Sequence, residues 1–298
     1  MGTLVAILID GLVNASWLFL VAVGLTLVCG VMRILNIAHG GLYAFGAYCT
    51  ATFIGWIPAA GLTPLKSFAL MAAAAVTVGV VVGLALERGL LRFVYGRDEV
   101  VLVLITFAAF LILEDVLTLI WGGTVIAAYQ PYSLLGRSAF GRLTFSNYDL
   151  ALVVIAAVVS VALWWGLTRT RRGLLLRAVI HDREMAHIVG IDVKRFTTVT
   201  FIIGCSFGAL GGALTAPMIS IQPGIGVEVI VVAFAVVVMG GMGSIPGALL
   251  GSLAVGIARA MAVHLVPALE VFVIYLVMTA VLAVRKEGLF APAAVRRI

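Results

Sequence analysis

Residues 4–30 read LVAILIDGLVNASWLFLVAVGLTLVCG. Asp10 is the only charge in this run, and a helix needs only about 20 apolar residues to cross a bilayer. Residues 1–10 lack the basic region of a cleavable leader, and the apolar stretch behind them is too long for one. The segment therefore reads as a retained span. The pattern recurs along the chain, with apolar segments at 36–57, 68–90, 101–121, 148–168, 196–216, 229–240, 246–264 and 267–284. Of the 298 residues, 63% are hydrophobic and 11% charged; mean hydropathy is +1.23. Soluble domains are about a quarter charged. These numbers predict an all-α integral membrane protein, a polytopic bundle of eight or nine transmembrane helices occupying 1–298 as a single domain embedded in lipid. The segment 229–240 is too short to cross alone.

The net charge is +6, and its placement argues against nucleic acid. Arg33, Arg88, Arg92, Arg97, Arg169, Arg171, Arg172, Arg177, Arg183, Lys194, Arg195, Arg285, Lys286, Arg296 and Arg297 all fall on one side under alternating spans. They are fifteen of the nineteen basic residues. Lys66, Arg137 and Arg142 fall opposite, and Arg259 lies within a span. By the positive-inside bias the 169–195 loop and the C-terminus are cytoplasmic and the N-terminus is outside. Cys29, Cys49 and Cys205 sit in apolar runs with neither metal-site nor disulfide spacing, and read as small buried hydrophobes. The outer loop 122–147, with Trp121 at its border, carries Tyr129, Pro131, Tyr132, Phe140 and Phe145, read as interfacial anchors or an outer docking surface.

Small residues are arranged. Gly204, Gly208 and Gly212 fall four apart, as do Gly243, Gly247 and Gly251, and Gly79 with Gly83 is a shorter version. Such spacing puts glycines on one helix face, where backbones can meet. Gly240, Gly241, Gly243 and Pro246 crowd a boundary between apolar segments, which fits a broken or re-entrant segment near 229–245 lining a translocation path or gate. Asn36 and His39, three apart in RILNIAHGGLYAFGAY, are expected to share a helix face. They read either as a capped helix start or as path lining. Glu114 and Asp115 interrupt another span, and charges at that depth face protein or water. Glu114 reads as a structural contact or a functional one.

The loop 168–196, TRTRRGLLLRAVIHDREMAHIVGIDVKRF, is longer than a tether requires. Asp182 suits an N-cap and Gly190 a left-handed C-terminal stop. Between them lies a helix of about two turns, with Met185, Ile188 and Val189 on one face. Two turns are not stable alone. The helix needs a surface: the inner membrane interface, or a cytoplasmic partner for which it is the docking knob, so that a charge at Ala186 is expected to disturb the docking.

The chain resembles the permease subunits of branched-chain amino acid ABC importers, the LivH type of the LivH/LivM pair. Four stretches carry the resemblance in order: Asn14, Gly24, Gly30 and the 36–48 run; Gly173, Arg177, Ala178, Ala186 and Gly190-Ile191; GGMGSIPGALLG at 240–251; and Lys286-Glu287-Gly288-Leu289-Phe290. Relatives often carry an acidic residue after the AHG triplet, where this chain has Gly41. The resemblance implies a bacterial inner-membrane protein working with a second permease of LivM type, two cytoplasmic ATPases and a periplasmic solute-binding protein. It also implies that helix 182–189 couples to an ATPase. No GxxxxGK[ST] loop occurs, so the chain is expected to bind no cofactor, with ATP and Mg on the ATPases. The alternative is an ion-coupled secondary transporter, which would need a charged relay beyond Glu114. A membrane enzyme would need a clustered site, and His39, His181, His187 and His264 are scattered. The expectation is a non-catalytic transport subunit.

Overall fold

The computed structural model describes residues 2–32, 34–58, 61–140, 143–286 and 288–290. Arg33, Arg142, Glu287, Arg296 and Arg297, counted above, lie outside the described residues. Four helices come first: α1 (Gly2–Met32), α2 (His39–Gly55), α3 (Pro64–Gly89) and α4 (Glu99–Trp121). A short helix α5 (Gln130–Leu134) and an antiparallel hairpin, β1 (Arg137–Phe140) with β2 (Leu143–Ser146), follow. The rest is α6 (Asn147–Arg169), α7 (Arg171–His181), α8 (Arg183–Ile188), α9 (Val193–Thr215), α10 (Ile225–Gly240), α11 (Ile245–Leu265) and α12 (Glu270–Val284).

Nine of these helices overlie the nine apolar segments. Among the described residues, seven helical stretches are long and apolar enough to cross a membrane. The other two, α2 and α10, have 17 and 16 residues. At 1.5 Å per residue each is about 25 Å long, a little short of a ~30 Å hydrocarbon core. The segment near 229–245, read as a possible re-entrant one, forms the short helix α10 and the turn after it. The start of α10 lies beside the loop after α4, through the Ile126–Ile221 pairing, and its far end meets the C-terminal segment after α12. Gly241 and Gly243, at φ 99° and 83°, make the turn into α11.

The core is organised by close backbone approach. Buried residues run around every face of α1, whereas α12 buries only Ile274. A helix apolar all round belongs inside a bundle. α1 packs on α9 and α11, and α9 also packs on α2 and α3. A side chain on Gly204 would lie 2.7 Å from the Gly24 carbonyl. Gly212 sits on the Tyr43 backbone, Gly247 on Gly240, and a side chain on Gly251 would lie 2.9 Å from the Val236 carbonyl. Cys29 and Cys205 are buried.

Among the charged groups within spans, Arg259 finds a partner in an adjacent helix. Arg259 of α11 donates through Nε (3.0 Å) and Nη2 (2.7 Å) to Glu270, in the first turn of α12. Glu228 is exposed in the first turn of α10, where the helix dipole favours an acid. The aromatic residues around the outer loop divide. Trp121 donates to Thr52 Oγ1 at 2.7 Å and packs 5.3 Å from the Tyr48 ring. Tyr132 packs on Tyr148, and Tyr129 stays half exposed.

Candidate functional site

The 168–196 loop folds into two helices rather than the one expected. Thr170 ends α6 and caps α7, accepting from Gly173 N at 3.1 Å. Asp182 ends α7 and caps α8, its Oδ1 accepting from Met185 N at 2.9 Å. Gly190, at φ 85°, ends α8. Ala186 faces inward, 3% exposed against Val179 and Val193. A charge at Ala186 would thus enter this small core and not the exposed side of the helix, a correction to the expectation for that residue. Helix periodicity cannot say which face meets the rest of the chain. The outward face is Met185, Ile188 and Val189, 56%, 75% and 67% exposed. These three large apolar side chains of α8 are thus left uncovered by the rest of the chain.

This surface is wired to the bundle. Arg183 Nη2 reaches Thr197 Oγ1 of α9 at 3.5 Å, and Thr198 Oγ1 donates to the buried Glu87 of α3 at 2.9 Å. Burial first, then the Glu87 carboxylate, push the nearby Tyr95 hydroxyl well above the usual phenol range, so it stays protonated. The Asp182 amide donates to the Ala178 carbonyl, joining α8 to the end of α7. Arg177, Ile180 and His181 of α7 then line a cavity of about 1520 Å³.

That cavity lies between the end of α1, the start of α4, the end of α6 and the α10–α11 turn; Arg97, Ser160, Trp164, Gly243 and Ser244 are in its wall. A smaller cavity of about 490 Å³ lies between the opposite ends of α1, α6 and α11, beside α5, lined by Asp10, Asn14, Tyr132, Asp149 and His264 among others. Asp10 Oδ2 and His264 Nε2 are 2.7 Å apart. The basic loops thus gather around the large cavity.

Asn36, His39 and Glu114 line neither cavity. α2 begins at His39, so Asn36 precedes the helix instead of sharing its face; its Oδ1 accepts from Ala38 N at 3.2 Å. His39 is buried, with Nε2 at 3.1 Å from the Val21 carbonyl, and fills the notch left by Gly208. Glu114 Oε2 accepts from Gly224 N at 3.0 Å, ahead of the α10 N-terminus, so one helix caps another. Gly240 and Gly241 belong to the buried α10–α11 junction, and only Gly243 of the three reaches the cavity. Ser160 and Trp164, hidden in an unbroken apolar run, carry no sequence signal for cavity lining.

The described residues thus form a bundle of apolar, membrane-length helices with a cavity at each end. The chain belongs to the family of branched-chain amino acid transport system permease components, whose sequence profile matches residues 7–282. It is 30% identical over 258 residues to the high-affinity branched-chain amino acid transport system permease protein BraD of Pseudomonas aeruginosa, covering 85% of this chain and 84% of that one. It is 28% identical over 259 residues to the corresponding LivH of Escherichia coli K12, covering 85% and 83%. Among solved structures, a metal-chelate type ABC transporter in an inward-facing conformation is similar at TM-score 0.49 and 16% identity, covering 94% of this chain and 83% of that one. The chain is a multi-pass, non-catalytic permease subunit that works with other subunits of an ABC transporter.

Proposed function

We propose that this chain is the LivH-type permease of an ABC importer for branched-chain or other small amino-acid-like solutes. The observation that carries the reading is α8, a capped helix seated on Ala186 with Met185, Ile188 and Val189 turned outward. Its partner is one of two cytoplasmic ATPases, which hold ATP and Mg; this chain binds no cofactor. A LivM-type second permease completes the pore, and a periplasmic binding protein delivers the solute. The N-terminus is outside and the C-terminus cytoplasmic in the bacterial inner membrane. The solute class is supported by the names of the BraD and LivH relatives.

In this reading the large cavity is this chain's share of an inward-facing vestibule. Motion of α8 is passed through Asp182 to α7, whose end forms part of the cavity wall. ATP can shift the vestibule only through contacts on α8 that differ between the two states. Asn36, His39 and Glu114 hold the helix junction about which the wall moves, and Gly243 lies where the wall turns. The test is to purify the tagged chain from membranes with whatever accompanies it, then assay leucine uptake in vesicles. A second permease, two ATPases and ATP-dependent uptake are expected. Recovery of the chain alone, with uptake driven by an ion gradient, would overturn the reading.

A further inference from the structure

The C-terminal Gly288-Leu289-Phe290 has no part in the reading above, yet it is built into the cavity wall. A helix leaves four carbonyls without intrahelical partners at its C-terminus. In α10 these are Val237, Val238, Met239 and Gly240. The Gly241 amide serves the first two, at 3.0 and 3.3 Å. The other two are served from the far end of the chain: Leu289 N donates to Met239 O at 2.8 Å, and Phe290 N to Gly240 O at 3.1 Å. Met239 and Gly240 are buried, so these carbonyls are costly to leave bare.

The fit admits only glycine at 288. Its φ is +84°, and a side chain there would lie 2.8 Å from both Gly241 N and Val238 O. Arg285 Nη1 closes the turn on the Leu289 carbonyl at 3.2 Å. Immediately after the clasped end of α10, residues 242–246 line the large cavity, and so does Phe290.

We propose that Gly288–Phe290 is a positioning strap for transport. It clasps α10 to α12 throughout the cycle, so that the α10–α11 turn and Phe290 move as one piece of cavity wall. The strap does not detach to open the cavity. This rests on the importer reading, and the test separates the two.

The whole transporter carrying Ser160→Cys, with Cys29, Cys49 and Cys205 of this chain replaced by alanine because Cys29 lines the same cavity, is reconstituted and labelled with a membrane-impermeant thiol reagent, with and without ATP and vanadate. ATP-dependent labelling in this parent reports the importer cycle itself, whatever the solute. Leu289→Ala, which keeps the amide, should preserve the nucleotide response within about twofold. Leu289→Pro, which removes it, should lose most of that response while ATP hydrolysis continues. A normal response in Leu289→Pro would overturn the strap. Should that variant not accumulate, Met239→Cys with Leu289→Cys decides, with Ser160 restored and ATPase activity and leucine uptake as readouts. The disulfide should form and leave both within about twofold of the reduced protein. Failure to form it, or arrest on oxidation with recovery on reduction, would overturn the proposal and leave the importer reading intact.

Discussion

His39 and Gly208 show how one side chain can specify a helix junction. The imidazole fills the space of a missing side chain on α9 while bonding a carbonyl of α1, so a single residue of α2 registers three helices. A methyl at Gly208 would lie 2.6 Å from His39 Nε2. Overpacking of this kind costs about 1–3 kcal/mol. Gly208→Ala should therefore lower the melting temperature of the detergent-purified protein. The double variant Gly208→Ala/His39→Ala should recover part of the loss, with a coupling of about 0.5–3 kcal/mol for residues in contact. Strict additivity in the thermal scans would show that the pair is not in contact.

At the scale of the element, α8 has two faces with opposite roles. Ile188→Asp puts a charge on the exposed face. It should leave the amount of folded chain in membranes unchanged while cutting ATP-driven uptake at least about tenfold, the effect of roughly 1.4 kcal/mol or more of lost partner contact. Ala186→Asp buries an unpaired carboxylate against Val179 and Val193, at a cost on the order of a few kcal/mol. It should reduce folded yield before coupling can be measured. Comparing membrane abundance with uptake for the two variants checks the assignment, and equal phenotypes would refute it. The capping of α8 was legible in the chain, because Asp182 and Gly190 act on their own backbone. Its orientation was not, because Ala186 is turned inward by Val179 and Val193 from neighbouring helices.

Across the whole molecule, the basic loops and the large cavity share one end, while the β1–β2 hairpin lies in the loop between the far ends of α4 and α6. With the positive-inside bias, this arrangement leads us to expect the hairpin outside the cell. Ser138→Cys should react with an impermeant thiol reagent on spheroplasts, and His187→Cys only after permeabilisation. The reverse pattern would invert the proposed orientation. The two short helices α2 and α10 pack on each other, α2 also on α9 and α10 also on α1.

The sequence by itself determined the membrane class, the nine helical segments, the side on which positive charge collects and the glycine spacing of the seams. Each of these is a one-dimensional property: apolar length, loop charge and periodicity act through lipid and local backbone geometry alone. Only the tertiary structure decided that 229–245 is a full helix and a turn, that Glu114 caps α10, that Ala186 faces inward and that Gly288–Phe290 completes α10. In each of these cases a backbone or buried side chain is satisfied by a group from another helix or from the far end of the chain. Such partners are chosen by packing in three dimensions, which no local pattern records.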